Sequence, residues 1–188
     1  MPTPVRLDQY APGPTYSPGA PLLQQLLWYY VGSPLCMSYL LPFSGLKVWL
    51  LRRFGATVGS GVRIKPGVRV KFPWRLSIAD HTWLGEGAWI DNLAPVAIAS
   101  HVCISQGTYL CTGNHDWRKP TFDLRVGAIS IEEGAWLGAR SVVGPGVTVG
   151  AGAVLSLNSV ASRSLESWMV YVGNPAQPVK KREILVDG

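Results

Sequence analysis

Residues 131–155 read IEEGAWLGARSVVGPGVTVGAGAVL, and every sixth position is aliphatic: Ile131, Leu137, Val143, Val149 and Leu155. Four residues after each of the first four stands a small or branched residue: Ala135, Ser141, Val147 and Ala153. A period of six matches neither the 3.6 of a helix nor the 2 of an ordinary strand. It matches a parallel β-helix, in which six residues make one short strand and one corner. The aliphatic residue fills the interior, and glycine at the corners accepts backbone conformations that a side chain opposes.

The same frame runs backwards through Val58, Ile64 and Val70, then Ile78, Leu84 and Ile90, then Ile98, Ile104 and Leu110. The steps from Val70 to Ile78 and from Ile90 to Ile98 are eight rather than six, so those coils carry two extra residues at a corner. The expected fold is all-β, a parallel β-helix of about five triangular coils over residues 56–165. An irregular arm (1–21), an apolar helical segment (22–55) and a tail packed on the prism (166–188) complete the chain.

A chain of 188 residues, 47% apolar and 15% charged, suits one filled prism with appendages. The formal charge of +6 points weakly to anionic partners. Lys65 and Lys71 follow interior residues at successive corners rather than along one groove, which argues against nucleic acid. Cys36, Cys103 and Cys111 are odd in number and lack metal-like spacing, as expected of a reduced, cytoplasmic protein. Residues 1–21 lack the pattern of a signal peptide. Between residues 22 and 51 the only charge is Lys47, yet Gly32, Pro34, Pro42 and Gly45 divide the stretch into pieces too short to span a bilayer. Two short helices capping the open end of the prism are expected there. Residues 22–53 also suit peripheral contact with the inner face of the membrane, with Trp28, Tyr29, Tyr30 and Trp49 at headgroup depth.

After Leu110 the frame breaks and returns only at Ile131, leaving an extended loop over residues 112–128. An insertion from one corner of a solenoid marks its functional face. His115 lies in this loop between Asn114 and Asp116, whereas His81 and His101 lie one coil apart and should stack on the outside. No serine-nucleophile motif is present, so the chemistry expected is direct transfer with His115 as general base.

Several runs carry a resemblance: Phe72-Pro73-Trp74, Ile90-Asp91-Asn92-Leu93, Ser105-Gln106, Leu110-Cys111-Thr112-Gly113-Asn114-His115-Asp116, Ala135-Trp136-Leu137-Gly138-Ala139 and Gly173-Asn174-Pro175-Ala176. Residues 83–182 resemble the galactoside/maltose acetyltransferase branch of the left-handed β-helix, or hexapeptide-repeat, acyltransferases. Within it they are most similar to the colanic-acid-biosynthesis O-acetyltransferases. The resemblance implies left-handed coils, a homotrimer, acetyl-CoA as cosubstrate, no metal, and a saccharide acceptor. It implies His115 as base, Asp91, Asn92 and Trp136 at the acceptor, and Gly138, Ala139, Leu157, Ser162, Arg163 and Lys180 along coenzyme A. The apolar segment before Leu46 is unlike the N-terminus of the soluble sugar acetyltransferases and leaves open an acceptor that is lipid-linked. The family often has small residues where Leu157 stands and Thr-Lys where Ser162-Arg163 stand. Two other readings share the prism: an inactive trimeric scaffold, and a γ-carbonic-anhydrase-like zinc enzyme needing three converging histidines.

Overall fold

The computed structural model describes residues 4–10, 12–13 and 16–185. Residues 1–3, 11, 14–15 and 186–188, which belong to the expected arm and tail, lie outside the described residues. The body is a left-handed parallel β-helix. Its first face stacks Thr57–Val58, Leu76–Ile78, Val96–Ile98, Ile129–Ile131 and Thr148–Val149. The second stacks Arg63–Ile64, Trp83–Leu84, Cys103–Ile104, Trp136–Leu137, Val154–Leu155 and Met169–Gly173. The third stacks Arg69–Val70, Trp89–Asp91, Tyr109–Cys111, Val142–Val143 and Val160–Ala161.

Interior aliphatics pair in register from coil to coil, as in Ile64 on Leu84, Leu84 on Ile104, Ile104 on Leu137 and Leu137 on Leu155. No member of the six-residue series is more than 6% exposed. Burying each such side chain contributes about 1.5–3 kcal/mol, so the column of aliphatics holds the prism together. Beyond the expected five coils a sixth begins, with Leu165 bridged to Val149 and Met169–Gly173 paired on Val154–Leu155. The chain then turns back as Ala176–Lys181, antiparallel to Met169–Gly173.

The N-terminal segment departs from the expectation of breaks at Gly32 and Pro34. Helix continues from Leu22–Leu27 through a π-helical turn, Trp28–Gly32, into Ser33–Met37. The wider turn shifts the hydrogen-bond register just where Pro34 has no N–H to donate. Glycine is needed at position 32, because a Cβ there would lie 2.3 Å from the Trp28 ring. A second helix follows at Ser44–Arg53.

These helices close the open end of the prism with polar atoms as well as apolar ones. Arg52 donates to the carbonyl of Val58, on the first face. Ser44 Oγ accepts from the Ile64 N–H, and Lys47 Nζ donates to the Lys65 carbonyl, on the second. Trp28 Nε1 donates to the Val70 carbonyl, on the third. An end coil exposes unpaired backbone groups on every face, and leaving them buried without partners is costly. This explains why Lys47, the lone charge of the segment, is buried, with burial pushing its pKa down.

Candidate active site

Every lengthened corner of the coil falls on the edge between the third and first faces. Phe72–Leu76 makes that turn in the first coil through Pro73–Arg75, residues 92–95 make it in the second, and residues 112–128 make it in the third. The third is not an irregular loop but a hairpin, Gly113–His115 antiparallel to Leu124–Val126, with His115 opposite Leu124. Its base presses on the neighbouring corner, where a Cβ at Gly113 would lie 2.6 Å from Leu93 Cδ1.

Three contacts hold His115, two from the hairpin and one from the N-terminal arm. Nδ1 lies 2.9 Å from the carbonyl oxygen of Phe122. A carbonyl only accepts, so Nδ1 carries the proton, and Nε2 is left as a lone-pair base. The Phe122 ring stacks on the imidazole, with centroids 4.3 Å apart and planes 5° from parallel. Tyr10, from the N-terminal arm, meets the same imidazole edge-on at 5.6 Å. The arm is anchored nearby, where the Arg6 N–H donates to the Pro120 carbonyl.

Asp116 organises the hairpin tip. Its side chain is buried, accepting from Arg125 at 2.5 Å and Arg118 at 3.2 Å. Burial opposes its charge, but the bonds to Arg118 and the charges of Arg125 and Arg118 more than offset that, and its pKa lies below the ordinary carboxylate range. Asp123 is held low as well, by hydrogen bonds from Lys119 and Thr121. Neither carboxylate bonds to His115. The partner of its ring is the Phe122 carbonyl.

Asn92 and Asp91 share the His115 edge, but the expected acceptor role does not suit Asn92. Its side chain is fully buried, with Oδ1 accepting from the Phe72 N–H at 2.9 Å and Nδ2 donating to the Phe72 carbonyl at 2.7 Å. Both ends of the amide are committed to the corner one coil below. Asp91 is half-buried, 3.0 Å from Lys71 Nζ and 3.1 Å from the Tyr109 hydroxyl. Burial, Cys111 and Asp91 together push the Tyr109 hydroxyl's pKa up.

The remaining candidates lie elsewhere on the prism. Trp136 is exposed on the second face, its Nε1 donating to Ser105 Oγ at 3.0 Å. Beside it a cavity of about 750 Å³ is lined by Ser156, Val170, Lys180, Lys181 and Arg182. Gly138, Ala139 and Leu157 stack at the edge between the second and third faces, where a Cβ on Gly138 would lie 2.6 Å from the Leu157 nitrogen. Ser162 and Arg163 are exposed on the His115 edge, two coils further on. One chain therefore separates its histidine from the Trp136 surface.

His81 and His101 stack at 5.3 Å on a different edge from His115. Among the described residues, no group of three or more His, Cys, Asp or Glu could hold a metal ion.

This prism, with a histidine hairpin thrown from one edge, has the architecture of the hexapeptide-repeat acyltransferases. A comparison with protein-family models gives no match. Over 136 residues the chain is 39% identical to the putative colanic acid biosynthesis acetyltransferase WcaF of Escherichia coli, an alignment spanning 72% of this chain and 75% of that protein. Among solved structures, a hexapeptide-repeat acetyltransferase of Vibrio cholerae superposes with TM-score 0.77 at 23% identity, over 86% of this chain and 92% of that one. The same protein complexed with acetyl coenzyme A gives 0.76, at 23% identity over 86% and 88%. A maltose O-acetyltransferase of Clostridium difficile superposes with TM-score 0.72 at 17% identity, over 87% and 89%. The chain belongs to the hexapeptide-repeat acetyltransferase family that includes WcaF. It is an acyltransferase.

Proposed function

We propose that this acetyltransferase moves an acetyl group from acetyl-CoA to a sugar hydroxyl in exopolysaccharide biosynthesis, in the cytoplasm, as a homotrimer. The observation that carries the reading is the His115 tautomer: a carbonyl on Nδ1 and a free lone pair on Nε2. The WcaF relationship supports the exopolysaccharide assignment, and the maltose O-acetyltransferase likeness supports the saccharide class.

The donor fits the residues present. The Trp136 cavity offers an aromatic wall and a cluster of cations at Lys180, Lys181 and Arg182. Cations of this kind make charge-assisted hydrogen bonds to phosphate oxygens. Arg182 already donates to the carbonyls of Gly134 and Gly152, which leaves Lys180 and Lys181 as the phosphate contacts of choice. Gly138 and Ala139 allow close approach along the adjoining edge. When bound, acetyl-CoA supplies an activated thioester carbonyl.

His115 Nε2 takes the proton of the acceptor hydroxyl as its oxygen bonds to the carbonyl carbon. The C–S bond then breaks, and the imidazolium returns that same proton from Nε2 to the departing thiolate sulfur. The Phe122 carbonyl stabilises the imidazolium while it exists, because it faces the Nδ1–H throughout. Placement supports the trimer, since a site using both the His115 edge and a Trp136 surface draws on two copies, and a closed ring gives every copy such a neighbour.

The test is product chemistry. Incubation with acetyl-CoA and a pool of hexoses and deoxyhexoses should yield a saccharide heavier by one acetyl group, which mild alkali removes as expected of an ester. An alkali-stable amide product would contradict O-transfer.

A further inference from the structure

The N-terminal cap shows an unusual separation of character. Every charged residue between positions 9 and 79 is Lys or Arg, with no Asp or Glu among them. These cations lie on the cap and the first coil, and Arg53, Arg63, Lys65 and Arg69 are exposed there. On the same cap, large apolar side chains stand in solvent: Leu23, Leu27, Tyr30, Leu40, Phe43 and Trp49 are 47–90% exposed.

Helical spacing sorts the first of these onto one face. Leu23, Leu27 and Tyr30 stand at i, i+4 and i+7 and face outward. Leu22, Leu26 and Tyr29, one residue earlier in each case, line an apolar groove of about 410 Å³ between this helix and the third face, with Arg69, Lys71 and Asp91 at its rim and Lys71 paired with Asp91. On the second helix, Trp49 and Arg53 are exposed together while Lys47, Leu50 and Leu51 are buried. Among the described residues no helix is long and apolar enough to cross a membrane.

We propose that this end of the prism is a docking surface for an anionic lipid bilayer. Charge selects the occupant. The exposed cations of this end are attracted to anionic headgroups, although Asp91 pairs with Lys71 and Glu86 accepts from Tyr39 beside them, while the outward leucines and aromatics enter the interface. A second copy of the chain would bring the same cations together and repel it. The groove gives one lipid chain an apolar slot beside Arg69, a cation that suits its phosphate. The proposal rests on the acyltransferase reading only for its biological use, because binding is measured without catalysis.

Flotation with phosphatidylcholine vesicles, with and without phosphatidylglycerol, tests it on the full chain. Wild type should float with the anionic vesicles and remain behind with the zwitterionic ones, and added salt should release it. A combined Leu23→Asp, Leu27→Asp, Tyr30→Asp variant should lose vesicle partitioning by on the order of 100-fold. Arg53→Ser alone should lose roughly 5-fold. Coenzyme A binding and elution volume should match wild type in both variants, which shows the fold and assembly intact. Wild type that fails to float, or a combined variant that floats equally well, overturns the proposal. A combined variant that elutes as a smaller species also overturns it, because the face is then a contact between copies.

Discussion

The imidazole of His115 lies flat against the ring of Phe122, and its Nδ1 lies 2.9 Å from the carbonyl oxygen of that same residue. One residue thus fixes both the plane of the ring and the position of its proton. Phe122 is held at φ +49°, a conformation that non-glycine residues seldom adopt, and it sits at the tip of the hairpin closed by Asp116 and Asp123. The strained tip and the geometry proposed for the base are the same structure.

Truncating Phe122 to Ala keeps the carbonyl but removes the stacked ring. An aromatic pair contributes about 0.5–1.5 kcal/mol, so kcat should fall roughly 2- to 10-fold. Coenzyme A affinity, measured by titration calorimetry, should not change.

Tyr10 closes the edge of the same imidazole from the N-terminal arm. Tyr10→Ala should raise KM for the saccharide while thermal stability stays at the wild-type value. Steady-state kinetics with varied acceptor checks this. An unchanged KM places the arm outside the acceptor site.

Asn92 acts on the fold. Replacing it with Ala leaves the Phe72 N–H without its acceptor and takes one of two donors from the Phe72 carbonyl, which the Arg75 N–H still meets at 3.0 Å, at a cost of about 1–3 kcal/mol. Calorimetry should show Tm lowered by roughly 2–4 °C for each kcal/mol. A variant with wild-type Tm and a raised acceptor KM would restore the acceptor-binding role.

Asp116 links the hairpin to pH. Its folded pKa is below the unfolded value, so its contribution is fully present above the ordinary carboxylate pKa and is lost as pH falls through the folded value. Hydrogen exchange in residues 113–126 should therefore be flat from neutral pH to about pH 4 and lose protection below it. Asp116→Asn should weaken protection at neutral pH and reduce that acid-side loss to the part that Asp123, held low by Lys119 and Thr121, still contributes.

The prism was legible because its interior needs one aliphatic residue per six, and from Val58 to Leu155 each such position is buried. The break after Leu110 located the hairpin for the same reason. What escaped were contacts without a residue-specific signal. A backbone carbonyl facing Nδ1 can come from any residue, so Phe122 could not be chosen over its neighbours. Tyr10 reaches His115 across more than a hundred residues, through an arm with no periodic pattern. Asn92 was different, since a coil of twenty residues places it directly over Phe72. That spacing contained the stitch, whereas the family resemblance drew attention to the acceptor. Lys47 looked like an interruption in an apolar segment, and its partner is a carbonyl that the prism's open end leaves unpaired.

The most direct measurement is acceptor-dependent thiol release from acetyl-CoA by wild type and His115→Ala, with elution volume and coenzyme A binding checked in both. A base placed as Nε2 of His115 predicts a loss of about 10²- to 10⁴-fold in kcat with assembly and donor binding intact. Equal turnover by the two proteins would contradict it.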